Sequence, residues 1–267
     1  MMKQRNPLAP SRATDSSSFT PLRDPSVELQ PTGTGNAEAQ ESLSQQGGAS
    51  QETPLLVAAY QEMMKVAAGQ GAGQRVITVN EFFNRVIKYK SDEANWGTKD
   101  YWASPLETLV RQAGDCEDYA IAKYETLRKL GTPASKLRIL YTKVLRTQEA
   151  HMVAAYITDK GDFFILDNYV KNVRPLEKRV DLASATYSFN EDQLYMGLDR
   201  EAGKPTLSKW DAMRAREAAG PDPMKLGAAP EEQLTEDMQV AIGLDPGLEE
   251  LMLNHPALAD ATKDFLA

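Results

Sequence analysis

The chain has 267 residues, with 30 Lys plus Arg against 38 Asp plus Glu, a net charge of −8 and a pI near 5.0. That length suits one well-packed domain with extensions, and the acidic balance argues against a nucleic-acid binder, which carries a basic patch. The single Cys excludes an intrachain disulfide framework and any multi-cysteine metal site, and no apolar run approaches the roughly 20 residues of a membrane-spanning helix.

Residues 1–52 are rich in Ser, Thr, Gln, Gly and Pro and poor in large apolar side chains. They bury too little surface to offset the entropy of ordering, so the composition predicts a disordered tail. Its opening, MMKQRNPLAPSRATDSSSFTPLRD, has early positive charges but no apolar stretch behind them, so it is not a Sec signal peptide. Two locations are compatible with this: a cytoplasmic protein without a leader, or an exported one whose leader is lost from this start.

Residues 53–200 read as the folded domain. Order is expected to begin at TPLLVAAYQEMMKVAAG, where Thr53 is placed to cap a helix and Pro54 to occupy its first position. A second helix is expected in TVNEFFNRVIKYKSD, where Thr78 and Glu81 have capping-box spacing. Ser104, Pro105 and Glu107 form another helix-start signature, for a short helix to about Gln112, broken by Gly114. A further helix starts near Cys116 and runs to Leu130, with Ala120, Tyr124, Leu127 and Leu130 at core spacing and Gly131 as its terminator.

The pattern then switches to period two. KLRILYTKVLR, HMVAAYIT and DFFILDNYV read as three consecutive strands, and the turn signal TDKGD predicts an antiparallel hairpin between the last two. YSFNEDQLYMG is a fourth strand or a closing loop. From 201 to 267 the chain is helical and polar, in SKWDAMRAREAAG, EEQLTEDMQVAIG and LEELMLNHPALAD, and reads as an appendage that packs loosely or binds a partner.

The chemistry centres on GDCEDYA, residues 114–120, where the only cysteine is crowded by Asp115, Glu117 and Asp118. Negative neighbours disfavour a thiolate, whereas a helix N-terminus favours one. A nucleophilic cysteine also needs a base and a group to orient that base. Only His151 and His255 are available, and His255 lies in the polar appendage. His151 begins a predicted strand, and Asp167 ends the next one. The two are equidistant from Asp159, so a hairpin centred there sets them directly opposite. A turn centred on Lys160 makes them diagonal neighbours, roughly 7–8 Å apart at Cα. Either register brings the pair to one face. Taken singly, these residues have plainer readings: a small buried hydrophobe, a strand histidine, a turn cap. Together they support Cys116 as nucleophile, His151 as base and Asp167 as orienter. Helices, then a cysteine at a helix start, then an antiparallel sheet suit an α+β fold with a papain-like or transglutaminase-like core.

The stretch DYWASPLETLVRQAGDCEDYAIAKYETLRKLG, followed by HMVAAY and LDN, closely resembles the bacterial transglutaminase-like cysteine proteinases of the LapG type over about residues 75–195. The resemblance implies a Cys-His-Asp thiol protease, with Cys116, His151 and Asp167 on the family's triad. It implies dependence on calcium, with Asp115 and Glu117 as Ca²⁺ ligands. Without the family, the same acids read as a helix cap and partners of the helix dipole. The family also implies a periplasmic enzyme that cuts a large surface adhesin near its N-terminus, at a dialanine site, releasing cells from a biofilm. Its implied partner is an inner-membrane receptor for cyclic di-GMP. The missing leader, the long N-terminal segment and the helical C-terminal segment depart from that pattern. Two other activities share this fold: transglutaminase-type acyl transfer to an amine, and a non-catalytic module that only docks a partner.

Overall fold

A computed structural model describes residues 52–225. Two long helices, α1 (Glu52–Ala68) and α2 (Ala72–Val86), open the domain. The second begins six residues before the expected cap. Thr78 is fully buried in mid-helix, where its hydroxyl donates to Gln70 Oε1 at 2.8 Å. A buried face that includes Val76, Ile77, Val79, Phe82 and Phe83 carries the helix back to Ala72, so the Thr78–Glu81 spacing is coincidental.

A two-residue strand β1 (Lys88–Tyr89) and a single-turn helix α3 (Asp92–Trp96) lead to α4 (Pro105–Arg111). Here the sequence signature holds. Ser104 Oγ accepts from the Glu107 N–H, and Glu107 Oε2 accepts from the Ser104 N–H at 2.7 Å. The chain then forms β2 (Ala113–Gly114), parallel to β1, and enters α5 (Cys116–Lys129). Glu117 and Asp118 in the first turn and Arg128 and Lys129 in the last complement the helix dipole. Gly131 ends it with φ +87°, a conformation that favours glycine.

Seven antiparallel strands follow: β3 (Leu137–Lys143), β4 (Ala150–Ile157), β5 (Phe163–Leu166), β6 (Arg174–Pro175), β7 (Tyr187–Phe189), β8 (Leu194–Met196) and β9 (Arg200–Gly203), in the order β6-β5-β4-β3-β7-β8-β9. YSFNEDQLYMG is thus two strands, β7 and β8, joined by a turn in which Asn190 Oδ1 accepts the N–H groups of Asp192 and Gln193. Side chains alternate across the sheet. Ile139, Met152, Ala154, Tyr156, Phe164 and Leu166 join the main core with the helices, while Leu140, Val153, Ala155 and Ile165 form a smaller cluster. Burial on both sides explains why β4 and β5 read as continuous apolar runs.

A boundary at residue 200 falls at the start of β9, inside this sheet. Beyond it, α6 (Ser208–Ala219) packs on the same core: Trp210 meets Tyr124 and Phe189 edge-on, and Met213 is fully buried. The expected tail 1–52 lies outside the described residues except for Glu52, and so do the two last predicted helices and His255. Among the described residues, no helix is long and apolar enough to cross a membrane.

Candidate active site and metal centre

Cys116 is the first residue of α5, and its entry is built by Gly114, Asp115 and Asp118. Asp118 is fully buried. It accepts the Ala103 N–H on Oδ1 at 2.8 Å and the Asp115 N–H on Oδ2 at 3.3 Å, tying the loop before α4 to the helix start. The half-buried Cys116 thiol donates to Glu117 Oε2 at 3.0 Å and lies against the backbone N–H of Met152 on β4. Burial pushes this thiol well above its ordinary range, and the Glu117 carboxylate adds to the effect.

The hairpin register pairs Ala154 with Leu166 and Ile157 with Phe163. The turn is therefore centred on Lys160, and Asp167, one residue past the end of β5, is diagonal to His151. The geometry closes all the same: His151 Nε2 lies 2.9 Å from Asp167 Oδ1. The Tyr169 N–H donates to that same oxygen at 2.9 Å, and Arg179 Nη2 donates to Oδ2 at 2.6 Å. Burial alone raises the Asp167 pKa, but His151, the Tyr169 N–H and Arg179 together outweigh it and hold the carboxyl below the usual carboxylate range. An ionised carboxylate only accepts, so His151 Nε2 carries the proton and Nδ1 is left as the basic ring nitrogen.

Cys116 and His151 line one cleft of about 460 Å³, together with Tyr89, Arg146, Glu149, Asn168 and Tyr169 among others. The Tyr169 ring stands edge-on to the His151 ring at 6.4 Å, and Arg146 Nη2 donates to its hydroxyl at 3.2 Å. Tyr89 and Tyr169 are exposed beside the cleft, as aromatic residues at recognition surfaces often are.

The acids around Cys116 belong to a larger cluster. Carboxylate oxygens of Asp92, Asp100 and Glu117 lie within 4.8 Å of one another, and so do those of Asp92, Asp115 and Asp118. Asp92 Oδ1, Asp100 Oδ1 and Asp115 Oδ1 are buried with no hydrogen-bond partner among the described residues. Burial and the Glu117 charge push the Asp115 carboxyl up to about 8. Burial also pushes Asp92 up to about 7, against the Tyr101 N–H it accepts and with the Asp115 charge adding to the rise. Orphaned carboxylate oxygens with mutually raised pKa values and an all-oxygen donor set fit a hard divalent cation. Asp118, already held by two backbone N–H groups, is the least available of the set. The family resemblance implied Asp115 and Glu117 as ligands, and both lie in this cluster; Asp92 and Asp100, its other candidate members, were not singled out in the sequence. The one available signal was their density in SDEANWGTKDYW, just ahead of the Ser104 cap.

Residues 56–194 match the family model of the bacterial transglutaminase-like cysteine proteinases. Among solved structures, EGTA-treated LapG of Legionella pneumophila is 33% identical. The match covers 68% of this chain and 97% of that one, with a TM-score of 0.56. Calcium-bound Legionella pneumophila LapG is 32% identical over 69% of this chain and 99% of that one, with a TM-score of 0.55. No curated protein matches. The mixed helix and antiparallel-sheet architecture, the family match and the near-complete coverage of these structures agree: the chain belongs to the bacterial transglutaminase-like cysteine proteinase family.

Proposed function

We propose that this protein is a calcium-dependent cysteine endopeptidase in which Cys116, His151 and Asp167 carry the reaction. The observation that bears most weight is the His151 Nε2–Asp167 Oδ1 bond, made by a ring that lines the same cleft as the helix-start cysteine. His151 Nδ1 takes the Cys116 proton, and the sulfur attacks the scissile carbonyl. The Cys116 backbone N–H, unbonded within the helix because it lies in the first turn, faces the developing oxyanion. Imidazolium then gives its proton to the leaving amine, and a thioester remains on Cys116. His151 deprotonates a water, which releases the carboxylic acid and restores the thiol. Asp167 keeps the ring in the Nε2–H tautomer throughout.

Asp115 and Glu117, joined by Asp92 and Asp100, would hold the Ca²⁺. The cation supplies positive charge that offsets the acids beside the thiol and ties the 92–100 segment to the start of α5. The calcium-bound relative supports this reading, as do the orphaned oxygens of the cluster.

By family resemblance the substrate is a large cell-surface adhesin cut in biofilm release, the compartment is the periplasm, and the partner is an inner-membrane cyclic di-GMP receptor. Purified protein incubated with the N-terminal region of such an adhesin should cut it, lose activity in EGTA and regain it with added Ca²⁺. Cys116→Ala and His151→Ala should abolish cleavage while leaving the fold intact, and His255→Ala should leave the rate near wild type. Cleavage by folded Cys116→Ala overturns the thiol mechanism. Added amine captured as an amide product would favour acyl transfer over hydrolysis. Fractionation of cells and co-purification from membranes, with and without cyclic di-GMP, test the location and the partner.

A further inference from the structure

Arg179 is almost fully buried and follows the 3-10 turn Leu176–Lys178, far from the cysteine helix in sequence. Its Nη2 donates to Asp167 Oδ2 at 2.6 Å and to Asp181 Oδ2 at 2.8 Å, and its Nε donates to Asp181 Oδ1 at 2.9 Å. Nη1 is buried with no partner among the described residues. As a device for stability this is poor, because a buried ion pair recovers its desolvation cost only when every donor is used. Its value lies in what it does to Asp167.

We propose that Arg179 is a positioning residue that acts through Asp167, fixing which nitrogen of His151 carries the proton and which is left basic toward the thiol. This rests on the Cys116–His151–Asp167 reading above. The Asp167 side chain is fully enclosed, and its two oxygens have separate tasks: Oδ1 takes His151 and the Tyr169 N–H, and Oδ2 takes Arg179. A buried carboxylate with imidazole as its only cation has a cheap escape, which is to hold the proton itself. A protonated Asp167 can donate to the ring, and that selects the Nδ1–H tautomer, whose basic nitrogen points away from the thiol. The guanidinium carries a permanent charge, so it removes that escape whether or not His151 is protonated. It also locks the rotation of the carboxyl, because turning Oδ1 away from His151 would break the Arg179 bond on the other oxygen.

The test uses the calcium-loaded full chain, kinetics on a peptide substrate, and ¹⁵N shifts of the His151 ring. Arg179→Met should lower kcat at least about tenfold with KM within about twofold, the loss typical of a slightly misplaced catalytic group. Its His151 signals should move toward the Nδ1–H tautomer, and Arg179→Lys should recover most of the rate. In an Asp167→Asn background, Arg179→Met should cost nothing further. If Arg179→Met does not fold, Arg179→Gln, which keeps a donor without the charge, takes its place under the same criteria. Wild-type kcat with an unmoved tautomer overturns the proposal, and so does an equal loss in both backgrounds. Full activity in Asp167→Asn alone would instead overturn the triad reading, so the two failures are distinct.

Discussion

Gly114 shows how closely the nucleophile is framed. A Cβ on it would lie 2.6 Å from Asp118 Cβ and 2.7 Å from Asp118 Oδ2. Asp118 has little room to yield, since its two oxygens hold the N–H groups of Ala103 and Asp115. Gly114→Ala should therefore shift the first turn of α5. We expect a loss of about 1–3 kcal/mol, as for overpacking, and a fall in kcat larger than any rise in KM. Urea unfolding and steady-state kinetics check both, and an unchanged kcat would mean that the first turn absorbs the shift. The sequence marked Gly114 as a helix breaker, but its reason is the side chain folded over it. Cys116, His151 and Asp167 were legible because local pattern places each at the end of an element. Asp92, Asp100 and Arg179 were not, because nothing local beyond the acid density of SDEANWGTKDYW marks any of them and only tertiary packing brings them to the site.

At the level of elements, the alternating strands and the Ser104 cap were readable, since each depends on neighbours in sequence. The start of α2 was misread because a capping-box spacing also occurs inside helices, and the buried face that overrides it is a tertiary property. The contacts joining elements were beyond the sequence for the same reason. Lys123, fully buried on the cysteine helix, donates to Asn84 Oδ1 on α2 at 2.8 Å. Asn84 Nδ2 in turn donates to the Asp167 carbonyl at 2.8 Å and the Lys171 carbonyl at 2.9 Å. One bridge thus links the nucleophile's helix to the loop that carries the acid. Burial lowers the Lys123 pKa to about 7, although Asp167 and Glu81 oppose the shift. The unfolded chain, with an ordinary lysine near 10.4, binds more protons than the folded one between these values. Stability should therefore rise with pH from about 7 toward 10. Lys123→Met should remove that rise while lowering kcat through the loosened Asp167 loop. Denaturant unfolding at pH 7 and 9.5 reads the difference, and parallel pH dependence in both proteins would show that Lys123 does not titrate there.

Across the described molecule, α6 packs against the segment that carries part of the acidic cluster. Arg216 donates to Glu107 at 3.1 Å and also to the Trp102 carbonyl, and Arg214 bridges Glu125 and Glu191. These contacts hold the helix across the segment 100–107 and against α5. Lys209, near its start, pairs with Asp100 Oδ2, whose other oxygen is among the orphans of the cluster. The lysine thus sets a positive charge on one member of the group proposed to hold Ca²⁺. Charge of the same sign should weaken cation binding, and the ion pair also engages an oxygen the metal would use. Lys209→Met should therefore tighten Ca²⁺ binding. A half-exposed pair is worth up to about 1 kcal/mol, so the gain should reach about fivefold at most. Calorimetric titration of the chelator-stripped protein measures it directly. The same substitution should enlarge the rise in Tm produced by a fixed Ca²⁺ concentration, because the ion binds the folded loop in preference to the unfolded chain. Weaker binding in Lys209→Met would reverse the assignment and show that the lysine orders Asp100 for the metal. Identical binding would mean that Asp100 takes no part, leaving the ion to Asp92, Asp115 and Glu117.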